Sequence, residues 1–424
     1  MATDTATTTS LLPPLSPITF EPKFPYSDNL STLSVSGLAA KPQDERQRLV
    51  QRCTGETIHV ENLMSLMPSW FKKIHDQSVL NEVNTIIDEW LKKVNVPEAK
   101  KSKQRQKGDY VIISSVFYAD CSKEKLITLT KYNYWVSSLF SLSLRLQLPC
   151  WQTIDTNISQ IFMFDDEIDP GGDLTGDEAG TRRICDQTLR CIDECLHPDL
   201  LQANFTAPAG SPGTVEMLYE ILATMRPEMG PTTTERMRRQ LHEYVEGVAR
   251  QQAVRQDERL PHPQYHLAIR CDDIGVRPSV TQIEYAMDFE LPDHIVEHEA
   301  VECIVLSCAK LSVLVNEILS LEKEFRAGQL ENLCLLLVNA EDISIHAAID
   351  KVKSLIQKHH RSCEEAVTRL PWTDDEVVNE HIRQYVQCCQ RIASGTAQWS
   401  YLCTRYFKRG QLSDKWHLVA TLGQ

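Results

Sequence analysis

The sequence predicts an all-α protein, a single-domain helical bundle. Glycine is sparse, 16 of 424 residues, and long stretches contain neither glycine nor proline, so little interrupts a helix. Apolar residues recur at three- and four-residue steps, as in Leu80, Val83, Ile86, Ile87, Trp90 and Leu91, the period of an amphipathic helix. They make up 42% of the chain, enough for a large core, and one helical domain can reach this length.

The elements follow in order. Residues 1–45 are rich in Thr, Ser and Pro without a period and read as a mostly disordered lead-in, with an ordered stretch near Phe20 to Tyr26. The domain then covers residues 46–424. Asn62 to Val94 reads as helix, Lys100 to Lys107 as a basic solvated loop, and Tyr110 to Trp135 as core helix. Gly171 to Asp177 is a loop, Arg182 to Leu196 a helix, and Ala207 to Gly213, with Pro208 and Pro212, a loop. Helices follow at Met217 to Arg226, Glu235 to Gln252 and Val280 to Phe289, with a turn at Pro261-His262-Pro263. A long helix is expected over Asp293 to Phe325, then two more over Ala340 to Leu370 and Asp374 to Tyr401. No repeat and no hairpin is apparent. The expected architecture is a bundle of about ten or more helices with a polar site between facing helices.

Charge and cysteine usage narrow the function. The chain carries 44 Lys and Arg against 58 Asp and Glu, a net charge of −14, which argues against nucleic acid and against charge-driven docking on anionic lipid. Its 14 cysteines contain no C-x-x-C pair and read as buried free thiols in a reducing compartment. No secretory signal and no run of ~20 apolar residues is present. A soluble, cytoplasmic protein is expected, monomer or homodimer.

Two remote sets of oxygen ligands stand out. Ile161-Phe162-Met163-Phe164 runs into Asp165-Asp166-Glu167-Ile168-Asp169, and Pro170-Gly171-Gly172 follows. An acidic run is commonly a solvated face. Here it closes an apolar helix, and carboxylates at a helix C-terminus oppose the dipole unless a cation is present. A calcium loop starting at Asp165 fails, because Pro170 and Gly176 stand at its sixth and twelfth positions. Downstream, Asn316, Ser320 and Glu324 repeat at four-residue spacing, with Lys323 beside them. That spacing puts amide, hydroxyl and carboxylate oxygens on one helix face, a donor set for a small hard cation. Alone it could equally be an exposed polar face. Arg270 lies 46 positions before Asn316, followed by Asp273 and Ile274-Gly275. A last cluster holds Gly395, Trp399, Ser400, Arg405 and Tyr406.

Taken in order, these motifs resemble the fungal class I terpene synthases, the sesquiterpene cyclases in particular. The aspartate-rich motif matches Asp165 to Asp169. The Asn-x-x-x-Ser-x-x-x-Glu motif matches Asn316, Ser320 and Glu324, with its basic residue at Lys323. The diphosphate-sensing arginine matches Arg270, with linker and effector at Asp273 and Ile274, and the terminal Arg-Tyr pair matches Arg405-Tyr406. The resemblance spans Tyr110 to Tyr406. It implies a lyase that ionises an isoprenyl diphosphate, farnesyl diphosphate in the first instance, and cyclises it. It also implies three Mg2+ ions, held by Asp165, Asp169, Asn316, Ser320 and Glu324. Arg270, Lys323, Arg405 and Tyr406 would bind the diphosphate. Phe162, Phe289, Trp135 and Trp399 are candidates to line the cavity, against a plain reading of each as core packing.

Two departures are visible. Glu317 stands where the family commonly has Asp. Residues 136–160 separate Tyr134-Trp135 from Ile161, whereas the family runs directly from an aromatic-Trp pair into the acidic motif. This run of 25 residues reads as foreign to the fold, an unspliced intron, or, if retained, as a bulged loop. A chain-elongating prenyltransferase would need a second aspartate-rich motif, which Asp272-Asp273 and Asp374-Asp375 do not supply. A diterpene cyclase acting on geranylgeranyl diphosphate and a non-catalytic helical scaffold remain open.

Overall fold

A computed structural model describes residues 42–71, 74–93, 109–145, 178–197, 207–256, 259–403, 405–408 and 410–423. The expected lead-in up to residue 41, the basic loop Lys100 to Lys107, and the motif Asp165 to Asp169 with Phe162 lie outside these residues. What is described is a helical bundle, as the composition and period predicted.

The helices are α1 (Pro42–Cys53), α2 (Gln77–Lys93), α3 (Tyr110–Phe117), α4 (Lys123–Arg145), α5 (Glu178–Leu196), α6 (Gly213–Met225), α7 (Pro231–Gln256) and α8 (Pro263–Asp273). They continue with α9 (Val276–Met287), α10 (Asp293–Val296), α11 (Glu299–Leu319), α12 (Leu321–Arg326), α13 (Leu333–Glu341), α14 (Ile345–Val367) and α15 (Glu376–Leu402). Helix α11 is the centre of the bundle. Sixteen of its residues are buried, so it is apolar nearly all round, the mark of a helix enclosed by neighbours. Helices α14 and α15 flank it. Each seals its start with a side chain that accepts a backbone N–H: Ser344 from Ala347 and Asp375 from Val377.

Several expected elements are subdivided. The stretch expected as one helix from Asn62 begins as short 3-10 turns over Leu63–Leu66 and Pro68–Trp70, and α2 starts only at Gln77. Pro68 lacks the N–H a continuing helix needs. The core helix expected from Tyr110 breaks at Tyr118 to Ser122, and its second half runs past Trp135 to Arg145. Val136 to Arg145 is therefore helix and not the start of a bulged loop. The long helix expected over Asp293 to Phe325 breaks at Glu297-His298, where His298 caps α11, and again at Ser320. The helix expected from Ala340 is split by Asp342, which adopts a left-handed φ of 55°.

Two segments remote in sequence meet in an antiparallel pair, β1 (Thr57–Val60) with β2 (Leu418–Thr421), in register Thr57 to Thr421 and Val60 to Leu418. Local pattern could not reveal strands so far apart in sequence. Helix α3 lies against α15 at Gly395, where an added β-carbon would stand 2.5 Å from Val116 Cγ1 and 3.0 Å from Phe117 Cδ1. Gly395→Ala is expected to cost about 1–3 kcal/mol through overpacking, seen as a lowered Tm. An unchanged melt would mean that α3 shifts freely. Among the described residues no helix is long and apolar enough to cross a membrane.

Candidate active site

Three of the remote motifs meet at one end of α11. Helix α8 ends at Asp273, and Gly275, at φ 75°, turns the chain into α9. A β-carbon at Gly275 would lie 3.3 Å from Val136 Cγ1 and 3.6 Å from Tyr244 Cε2. Close approach and left-handed backbone both select glycine there. The break presents Arg270, on the last turn of α8, to α11.

Arg270 is buried and uses all three guanidinium nitrogens. Nε donates to Glu317 Oε1 at 3.0 Å, Nη1 to Asp273 Oδ1 at 2.6 Å, and Nη2 to Asn316 Oδ1 at 2.9 Å. Asn316 Nδ2 in turn donates to the Tyr406 hydroxyl at 3.2 Å. Residues 136 positions apart at the extremes, Arg270 and Tyr406, are thus joined through one amide. Burial alone would lower the Arg270 pKa. Asp273 and Glu317 outweigh it and push the group further up, so it stays a cation.

The stripe predicted on α11 survives the break at Ser320. Ser320 N–H still bonds Asn316 O at 2.8 Å and Glu324 N–H bonds Ser320 O at 2.9 Å, so helical pitch carries across. The Ser320 hydroxyl donates to Asn316 O at 2.7 Å, leaving its oxygen lone pairs to accept. Glu324 Oε2 accepts Asn332 Nδ2 at 2.9 Å. Amide, hydroxyl and carboxylate oxygens on one stripe fit a hard divalent cation. They bring only one negative charge. Among the described residues no three His, Cys, Asp or Glu side chains group so as to hold a metal ion, and further carboxylates must come from elsewhere. Asp165 and Asp169, expected to supply them, lie outside the described residues.

The remaining cations gather on Tyr406. Lys323 Nζ stands 5.6 Å and the Arg405 guanidinium 5.3 Å from its ring centroid, and Arg405 is also 5.8 Å from the Trp399 ring. Burial pushes the Tyr406 hydroxyl up to about 12, only partly countered by Arg405, so it remains a neutral phenol. Trp399 meets Tyr406 edge-on at 5.9 Å and Tyr110 at 6.3 Å. Trp135 is fully buried and reaches the α8–α9 break through Tyr244, at 6.2 Å. Phe289 is not brought to this end. It stacks on His381 at 4.6 Å, in the first turns of α15, and 18 residues of helix, about 27 Å, separate His381 from Trp399.

Sequence reasoning passed over three participants. Glu317 was noted only as a departure from the family pattern. It is buried and takes Arg270 on one oxygen, with His266 Nε2 at 3.1 Å and the Leu333 N–H on the other. Burial would raise its carboxyl. Its contacts with His266 and Arg270 and the Leu333 N–H overcome this and hold it at about 2. His266 stands one turn before Arg270 on α8, a spacing that was legible. Asn332 caps α13, accepting Cys334 N–H at 3.0 Å, and donates to Glu324 and to Glu317 O at 2.7 Å. An Asn before the apolar run from Leu333 was readable as a cap, but not its bond to Glu324.

Glu324→Gln tests the metal stripe without leaving a buried charge unpaired. It is expected to raise the divalent-ion concentration needed for half-maximal activity at least ~10-fold, since one charged ligand is lost. An unaltered metal requirement would remove Glu324 from the site.

Comparison with known proteins agrees with this geometry. A family model described as terpene synthase family 2, C-terminal metal binding, matches residues 157–362. The chain is 48% identical over 400 residues to terpene cyclase braA of Annulohypoxylon truncatum, covering 94% of this chain and 98% of that one. It is 28% identical over 327 residues to silphinene synthase peniA of Penicillium patulum, covering 77% and 80%. The crystal structure of linalool/nerolidol synthase from Streptomyces clavuligerus shares the fold, with a TM-score of 0.60 at 17% identity over 77% of this chain and 97% of that one. The chain belongs to the fungal terpene synthase family: it is a terpene cyclase, a lyase of the class I type that acts on an isoprenyl diphosphate with divalent metal.

Proposed function

We propose that this cyclase takes farnesyl diphosphate, uses three Mg2+ ions, and releases a sesquiterpene hydrocarbon or alcohol together with diphosphate. The observation that carries the reading is the hydrogen-bonded line from Arg270 through Asn316 to Tyr406, which brings three separate motifs together. The C15 substrate follows from the likeness of those motifs to fungal sesquiterpene cyclases.

Bound at Asn316, Ser320, Glu324, Asp165 and Asp169, the divalent ions supply the Lewis acidity that makes diphosphate a leaving group. Arg270, Lys323, Arg405 and Tyr406 donate charge-assisted hydrogen bonds to its oxygens. Arg270 is held by acceptors on two helices, so a phosphate oxygen that draws one guanidinium arm away from Asn316 frees that amide oxygen. Substrate capture and metal ligation are thereby linked through one side chain. Trp399 and Trp135 are the aromatics we assign to stabilise the developing cation, a contact worth about 0.5–2 kcal/mol each. The final proton passes to the departed diphosphate, so no side-chain base is required.

Incubation with C10, C15 and C20 diphosphates, read by gas chromatography with mass detection, is expected to give a cyclic C15 product. Cyclic product from the C20 substrate alone would replace the farnesyl reading with the geranylgeranyl one. Asp165→Ala is expected to abolish metal-dependent diphosphate release, and undiminished release would discard Asp165 as a ligand.

A further inference from the structure

The last turn of α8 carries Arg270, Asp272 and Asp273. Adjacent residues on a helix point about 100° apart, so the two acids look to different sides. Asp273 turns to Arg270. Asp272 turns to α7, where Arg250 Nη2 donates to its Oδ2 at 2.8 Å. Both side chains of that pair are buried, 1% and 4% exposed. Glu246, one turn earlier on α7, stands 3.7 Å from Arg250 Nη1. Each arginine is thus a cation between two acids, Arg270 with Asp273 and Glu317, Arg250 with Asp272 and Glu246.

Helix α7 comes against this turn at Gly247. A β-carbon there would stand 2.9 Å from the Asp272 carbonyl carbon, from its oxygen and from its Cβ, and backbone cannot swing aside as a side chain can. A glycine inside a helix is less stable than alanine. A buried ion pair adds little net stability, because desolvation offsets its attraction. Neither feature is a good choice for stability. What they fix is distance and direction. The glycine sets how near α7 lies to the α8 turn, and the planar guanidinium of Arg250 sets how that turn is rotated.

That rotation matters to Arg270. Its guanidinium has to reach from α8 to Glu317 at 3.0 Å and Asn316 at 2.9 Å on α11, and such bonds weaken steeply with misalignment. We propose that Arg250, through Asp272 and over Gly247, is a positioning residue that holds the last turn of α8 so that Arg270 meets the substrate diphosphate in one fixed orientation. The proposal rests on the reading of Arg270 as a diphosphate ligand. A phosphate oxygen that takes the Asn316 arm loosens the α11 side, and the α7 side then keeps the turn in place.

Arg236 supplies the comparison. It lies 14 residues earlier on α7, about 21 Å along the helix, and is also buried, with Nη2 donating to Glu284 Oε1 at 2.6 Å. Arg250→Gln and Arg236→Gln each break a buried pair on the same helix, and both are expected to lower Tm. Below both transitions, affinity for inorganic diphosphate with Mg2+ is measured by calorimetry, and kcat with C15 diphosphate. Arg250→Gln is expected to lower both at least ~10-fold, part of the ~10^2-fold that a misplacement of about 1 Å can cause. Arg236→Gln is expected to leave both near wild type. Equal losses in the two variants, or none in Arg250→Gln, overturn the proposal.

Gly247→Ala keeps every charge and displaces the Asp272 backbone, so it serves where Arg250→Gln does not fold. It is expected to show the same two losses, and wild-type values overturn the proposal. A double variant separates action through Arg270 from a direct effect of the Arg250 charge. With the Arg270 fork removed by Arg270→Lys, adding Arg250→Gln is expected to cost no further diphosphate affinity, and a full second loss overturns the proposal. Arg270→Ala with wild-type diphosphate affinity would defeat the reading of Arg270 and this inference with it. A weakened Arg270→Ala beside an unaffected Arg250→Gln would defeat this inference alone.

Discussion

Arg270→Ala is expected to remove terpene cyclase turnover by at least ~10^3-fold and to destabilise the fold by about 3–5 kcal/mol. The two losses have separate causes. Stability falls because Asp273 and Glu317 stay buried without their cation, and breaking a buried pair from one side carries that cost. Turnover falls because Arg270 is the side chain that touches α8, α11 and, through Asn316, the segment after α15. Arg270→Lys separates the effects. An ammonium restores the charge but cannot fork to three acceptors in fixed directions, so much of the melting temperature should return while kcat stays low. A lysine variant with normal kcat would show that charge alone suffices, and would remove the role argued for the fork.

Glu317→Gln should have the second largest effect, at a residue that touches neither metal nor substrate. It keeps the shape and removes the charge that offsets Arg270. A loss of about 3–5 kcal/mol is expected from the unbalanced buried cation, measured by denaturant or thermal melts. Glu317→Asp restores the charge on a shorter stem. It should recover folding, but it cannot reach Arg270, His266 and the Leu333 N–H together. A lower kcat with unchanged KM in the Asp variant would mark Glu317 as a positioning residue for Arg270. Wild-type kinetics in both variants would make it a dispensable core acid.

Much of this was legible in the chain itself. Glycine scarcity and the apolar period gave the helical class, because both act through local backbone preference and one-sided burial. The four-residue spacing of Asn316, Ser320 and Glu324 gave their common face, since helix geometry alone sets it. The breaks were harder to see. Ser320 interrupts a run that reads as continuous helix, and Asp342 takes a left-handed turn inside another. In neither case does the apolar period mark where the chain turns.

The sequence by itself determined which residue types were available for the chemistry: hard oxygen donors at helical spacing, cations to meet a diphosphate, and aromatics near both. Only the tertiary structure decided who meets whom. It put Asn316 between Arg270 and Tyr406, gave Glu317, itself bonded to His266, the task of holding Arg270, and sent Phe289 to the far end of α15. Spacing rules reach one or two helical turns along the chain. Contacts across a bundle depend on how whole helices cross, and that is settled by burial of the entire core.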